Sequence, residues 1–228
     1  MDLREYYGFP DGANVTLKYT PSFYDNVVND YPCPADMSYA ICNYKGKVFK
    51  KLNTSNVTNM SNMVYNCKNL IKIDTSGWDT SKVTIMDNMF NGCSNLQNID
   101  LSSWDTSMVT NMDRMFYTCN KLETIGYMNC ISVQKDKYPI YMYSANSTLK
   151  NLGGFYMRNS WVNNQGLANC PNLTVESLVN VLNSLYNFTE NGETPTSNEG
   201  KLALGATNLA KLTDEQKAIA TNKGWTLS

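Results

Sequence analysis

The chain has 228 residues, 42% of them hydrophobic and 17% charged, which is room for one large domain or a main domain with a short appendage. Nineteen Lys and Arg against 20 Asp and Glu leave a net charge of −1, so the chain does not supply on average the basic surface a nucleic-acid binder needs. There is no histidine, so Ser-His-Asp and Cys-His catalysis and most zinc and iron sites go with it, and no apolar run approaches the roughly 20 residues of a membrane span.

Residues 1–45 open the chain with Tyr6, Tyr7, Tyr19, Tyr24, Tyr31, Tyr39 and Tyr44 among Pro10, Pro21, Pro32 and Pro34. Prolines at that density oppose a helix. The start, MDLREYYGFPDG, has no basic stretch followed by an apolar one, so it does not read as an export signal. The segment reads either as a cap on the neighbouring domain or as an attachment arm.

From about residue 46 the sequence repeats. Val57, Val83 and Val109 fall in one column, Met60, Met86 and Met112 in a second, and Met63, Met89 and Met115 in a third. Cys67, Cys93 and Cys119, Leu70, Leu96 and Leu122, and Ile73, Ile99 and Ile125 continue the pattern, and Trp78 and Trp104 share its 26-residue step. Val83, Met86, Met89, Phe90 and Cys93 have the spacing of one face of about three helical turns. Leu96, Ile99 and Leu101 end in the alternation of a short half-buried strand. Asp105 and Ser107, after Trp104, are turn and helix-start residues. One helix and one strand cannot bury their apolar faces alone, so successive copies should stack as a solenoid with a parallel sheet along one side. The pattern blurs toward Cys42, passes a Tyr-rich insertion at Tyr138, Tyr141 and Tyr143, and returns at Leu149 to Leu152 and at Cys170 to Leu173.

Residues 173–228 read as a terminal cap. The stretch 174–187 has a helical stripe of Val175, Leu178, Val179, Leu182 and Leu185, and 190–200 is a polar loop. A strand follows at 201–205, then a capping box at Thr213 to Gln216 opens a helix that stops at Gly224, and Trp225 begins a last strand. The fold expected is therefore α/β: 1–45 as cap or arm, 46–172 as a solenoid of short parallel strands and helices, and 173–228 as an α/β capping repeat.

The run W-D-T-S-x-V-T-x-M-x-x-M-F-x-x-C-x-x-L-x-x-I-D-L from Trp78 to Leu101 resembles the 26-residue leucine-rich-type repeat of BspA-like bacterial surface proteins. The resemblance is specific across about 52–130 and weaker to 173. Residues 204–227 look like the end that follows such repeats in proteins of gut bacteria and of their phages. The resemblance implies a leucine-rich-repeat solenoid whose role is adhesion or display. Family members on cells usually carry an export signal and an anchor. Neither is visible here, which favours a protein of the phage virion surface (fibre, decoration or receptor-binding component), with a cell-surface or secreted bacterial adhesin as the alternative. A carbohydrate-active hydrolase comes third, because no acidic pair stands out from turn chemistry.

The binding face expected is the outward side of the strands: Lys72, Asp74, Asn98, Asp100 and Thr124. Small polar residues there suit a host-surface or gut glycan, or a protein loop, while residues 1–45 are free to engage other virion proteins. The methionine columns read as core rather than a copper site. The cysteine column reads as buried thiols, and the pairing of Cys33, Cys42, Cys130 and Cys170 stays open. The Asp-Thr-Ser columns read as turn hydrogen bonding rather than a calcium ladder. No catalytic residue, metal or cofactor is expected. On this register Met89→Asp should prevent folding, because it buries a charge, and Asn88→Asp should be nearly silent. Thermal melts of the two variants check it, and equal behaviour contradicts the register.

Overall fold

A computed structural model describes residues 33, 35–43, 53–133, 148–161 and 167–228, and 48–49 by backbone. The expectations that fall on residues 1–32 and on the Tyr138–Tyr143 insertion lie outside these residues. Among the described residues are nine two-residue strands: β1 Val48–Phe49, β2 Lys72–Ile73, β3 Asn98–Ile99, β4 Thr124–Ile125, β5 Met128–Asn129, β6 Asn151–Leu152, β7 Phe155–Tyr156, β8 Lys201–Leu202 and β9 Thr226–Leu227. Three helices lie in the last third: α1 Val175–Ser184, α2 Gly205–Leu209 and α3 Asp214–Thr221.

The strands pair in parallel from one copy of the repeat to the next. β1 lies on β2, β4 stands between β3 and β6, and β5 lies on β7. Register is set by burial: Ile99 opposes Ile125 and Ile125 opposes Leu152, all on the inner side, while Asn98, Thr124 and Asn151 form the outer row. With a side-chain period of two, a slip of one residue would expose the isoleucines, so the apolar row locks the strands.

Across the core from the strands the sequence predicts a helix in each copy. The structure has none there. Met86, Asn88, Phe90 and Gly92 instead donate their N–H groups to the carbonyls of Asn111, Asp113, Met115 and Tyr117 in the next coil, at 2.8–2.9 Å. Met60, Asn62, Val64 and Asn66 donate in the same way to Ile85, Asp87, Met89 and Asn91. A helix directs every N–H along its own axis, to the residue four before it. Here every second peptide unit points across the stack, and the peptides between close tight turns such as Met89 N to Met86 O and Cys93 N to Phe90 O. This alternation requires left-handed residues. Asn62, Asn88 and Arg114 have φ of 55°, 56° and 57°, and Asn66, Gly92 and Thr118 have φ of 59°, 81° and 57°. Asparagine and glycine visit this region at low cost, and the hydrogen bonds of neighbouring coils hold the rest there. The spacing of the apolar residues survives the correction, because a turn every three or four residues buries the same positions as a helical stripe.

One further coil precedes the first repeat recognised in the sequence. Met37, Tyr39, Ile41 and Asn43 donate to Asn59, Ser61, Met63 and Tyr65, and Tyr39 and Asn43 are left-handed like their counterparts. The step to the next coil is 23 residues, from the Asp36–Asn59 pairing, against 26 from Asn59 to Ile85. That places part of the segment ending at 45 inside the stack, and Cys42 outside the cysteine column.

The core is continuous. Met37, Met60, Met86 and Met112 are buried, with Met63, Met89 and Met115 beside them. Cys67, Cys93 and Cys119 are buried thiols that donate to the carbonyls of Ile41, Val64 and Phe90 in the preceding coil, each at 3.1 Å. Burial pushes the Cys119 thiol up to about 12, so it remains protonated. Cys33, Cys42 and Cys130 are free thiols. Trp78 and Trp104 stack at 5.9 Å, and Phe90 on Phe116 at 5.6 Å.

At the far end α1 closes the stack. Ser177 Oγ accepts from Leu152 N and donates to Lys150 O, and Ser184 Oγ accepts from Phe155 N, so helix side chains satisfy the open edges of β6 and β7. Thr174 caps the helix by accepting from Ser177 N, and Lys223 Nζ donates to the carbonyls of Leu182, Asn183 and Leu185 at its other end. Val175, which the helical stripe placed inside, is 40% exposed.

Asn88 is therefore not an idle surface position: its Oδ1 accepts from Asn91 Nδ2 at 2.8 Å and its Nδ2 donates to Asp87 at 3.1 Å. The sharper test of the turn column is Gly92, where an added Cβ would stand 3.0 Å from Asn66 Cα at a φ of 81°. Gly92→Val should cost about 1–3 kcal/mol in thermal or urea unfolding. An unchanged midpoint would contradict the left-handed turn.

Candidate functional site

The outward strand positions share one surface because each coil presents the same residues of its strand. Lys72, Asn98 and Asn151 are exposed and Thr124 is half-buried, with Ile73, Ile99, Ile125 and Leu152 directly behind them. Asn98 opposes Thr124, and Thr124 opposes Asn151, whose Nδ2 donates to Thr124 Oγ1 at 3.3 Å. Asp74 and Asp100 come one residue after the strands and are exposed.

Three of the five expected residues meet in a groove of about 580 Å³. Lys72, Asp74 and Asp100 line it together with Ile73, Thr75, Ser76, Ser102 and Ser103. Asn98 and Thr124 are not among the lining residues and continue the surface toward later coils. The serines went unnoticed in the sequence because they read only as turn residues. They owe their position to the aspartates: Asp74 Oδ1 accepts from Ser76 N at 3.0 Å, and Asp100 Oδ1 from Ser102 N at 2.9 Å. Each carboxylate thus folds the loop after its strand and points a hydroxyl residue into the groove.

The Asp-Thr-Ser columns divide their labour in the same way. Asp79 accepts from Ser81, and Asp105 from Ser107 N. The threonines are buried stitches: Thr54, Thr80 and Thr106 hydroxyls donate to the carbonyls of Asp79, Asp105 and Asn129 in the next coil, at 2.9–3.0 Å. Each such bond contributes about 1 kcal/mol. Among the described residues no group of three or more Cys, Asp and Glu is placed to hold a metal ion, and no helix is long and apolar enough to cross a membrane.

These carboxylates titrate below the usual range. The Ser81 hydroxyl, and then its amide, holds Asp79 down; for Asp100 the Ser102 amide leads, and for Asp105 the Ser107 hydroxyl. A folded-state pKa below the unfolded one gives stability that is fully present above the unfolded value, about 3.9, and is lost as pH falls through the folded value. The melting temperature should therefore decline on acidification below about pH 4. The Asp79→Asn, Asp100→Asn, Asp105→Asn triple variant should decline less steeply over the same range in thermal melts. An identical acid slope would contradict the role of the three carboxylates.

Comparison with known families matches residues 35–155 to the family described as Mycoplasma protein of unknown function, DUF285. No curated protein and no solved structure matches the chain. The matched span runs from the first described coil to β7, more than half of the chain, and the chain belongs to that family.

Proposed function

We propose that this protein is a non-enzymatic adhesion or display protein, built as a leucine-rich-repeat-type solenoid of BspA-like repeats, that meets its ligand through the strand face around Lys72, Asp74, Asn98, Asp100 and Thr124. The observation that carries the reading is the division between polar groups inside and outside the stack. Thr54, Thr80 and Thr106 are consumed in holding coil to coil, and Asp79 and Asp105 in holding turns. On the strand face Asn98 and Asn151 are exposed with half-buried Thr124 between them, in register above the buried apolar row, and Lys72 is exposed on β2. Extended, rigid surfaces of this kind suit recognition. The lack of any histidine agrees with a binding rather than a catalytic role.

Two settings present the same face to a ligand. The likeness of residues 204–227 to the ends of such repeats in gut bacteria and their phages supports the surface of a phage virion. The match to a family described from Mycoplasma supports a bacterial surface adhesin. Peptide mass spectrometry on density-purified phage particles, washed host envelopes and the soluble lysate of the source culture separates them. Stoichiometric recovery with the particles is expected. Recovery with the envelopes alone assigns the adhesin instead, and recovery only in the soluble lysate overturns display altogether.

A further inference from the structure

We infer that Asn191 is a site of spontaneous deamidation, whereas Asn91, in the only other Asn-Gly pair of the sequence, is kept as an amide by the ladder of the stack. The inference stands apart from the adhesion reading and concerns the chain after it has folded. The chemistry needs an asparagine whose side-chain carbon can be reached by the next backbone nitrogen. Glycine suits that next position, because it has no side chain to obstruct the approach and takes up unusual backbone angles freely. The Gly192 nitrogen, having given its proton to hydroxide, attacks Asn191 Cγ. A bond forms between them, the Cγ–Nδ2 bond breaks, and Nδ2 takes a proton from water and leaves as ammonia. Water then opens the cyclic imide at one carbonyl or the other, giving aspartate or isoaspartate. One water enters, one ammonia departs, and nothing is oxidised or reduced.

The two pairs share this composition and differ in freedom. The peptide unit between Asn91 and Gly92 is fastened on both sides: its carbonyl accepts from Asn66 N at 2.6 Å, and its N–H donates to Tyr117 O at 2.9 Å. A Cβ at Gly92 would stand 3.0 Å from Asn66 Cα, so the backbone there is closely packed against the neighbouring coil. The side chain is held as well. Asn91 Nδ2 donates to Asn88 Oδ1 at 2.8 Å, and its Oδ1 accepts from Thr118 Oγ1 at 3.3 Å. For Gly92 N to swing onto Asn91 Cγ, the coil would have to release both of its neighbours.

Asn191 and Gly192 lie exposed in the polar loop of the cap. Their bonds are local: Asn191 N and Nδ2 donate to Asn187 O at 3.3 and 2.7 Å, and Gly192 N donates to Thr189 O at 3.1 Å. A Cβ at Gly192 would meet nothing within 4 Å. Exposed turn bonds of this kind open at little cost and without disturbing a core. The product adds a carboxylate between Glu190 and Glu193, and isoaspartate also lengthens the backbone just before Glu193. That residue ties the loop down, since its carboxylate is held by Arg158 Nη2 at 2.6 Å and by the Tyr186 hydroxyl at 3.1 Å.

The test is peptide mapping by mass spectrometry of the full chain kept at mildly alkaline pH, with the aspartate and isoaspartate forms separated, once for the folded protein and once in urea. In the folded protein the amide of Asn191 is expected to be lost at least about tenfold faster than that of Asn91, since one site opens locally and the other only with the stack. In urea the two rates should converge, because the ladder is gone and the following residue is the same. Equal rates in the folded protein, faster loss at Asn91, or an intact amide at Asn191 throughout overturns the inference. A difference in urea as large as that in the folded protein overturns the ladder as the protecting element.

Discussion

Everything in this structure depends on peptide units turned across the stack. In the coils at 37–43, 60–66 and 86–92 alternate N–H groups reach the coil ahead, and the threonine hydroxyls of Thr54, Thr80 and Thr106 repeat that connection nearby. Strands of only two residues could not hold such an assembly by themselves. The turn ladder opposite them supplies the missing cross-links, so each coil is held on two sides of a common core. The left-handed residues are the condition for this arrangement, since without them the alternate peptides would point along the chain.

The core chemistry derives from that geometry. Turns carry side chains inward at short intervals, which leaves narrow, irregular spaces between coils. Methionine, unbranched and polarizable, fills such spaces well. Cysteine is small enough to sit between coils while its thiol reaches a carbonyl of the coil below, which gives an otherwise unused lone pair a donor. A stack of this kind has an open end, and α1 closes it with two serines and a capping threonine rather than with another coil. Lysine plays the complementary part: Lys211 donates to the carbonyls of Pro171 and Leu173, as Lys223 does at the end of α1.

Burial was legible in the sequence to a degree that local conformation was not. The columns of Val83, Met86, Met89, Phe90 and Cys93 named the interior correctly, but their spacing is shared by a helix and by a chain of tight turns. The distinguishing signal lay in the polar positions between them, where Asn62, Asn88, Asn66 and Gly92 are residues suited to a positive φ. Arg114 and Thr118 in the same columns hid it. The coil at residues 36–43 escaped notice because its step is 23 residues rather than 26, which is why the pattern blurs toward Cys42. On the strand face simple alternation sufficed to find Lys72, Asn98 and Thr124. The serines of the groove depend on how neighbouring coils meet, which spacing along one chain does not encode.

Residue-resolved amide hydrogen exchange is the most direct test of the ladder. If the cross-coil bonds carry the fold, the slowest amides from 60 to 66 and from 86 to 92 will be every second one: Met60, Asn62, Val64 and Asn66, then Met86, Asn88, Phe90 and Gly92, with the amides of Met63, Tyr65, Met89 and Asn91, which close only local turns, exchanging faster. Continuous protection of consecutive amides through these segments, as an α-helix gives, would contradict the account.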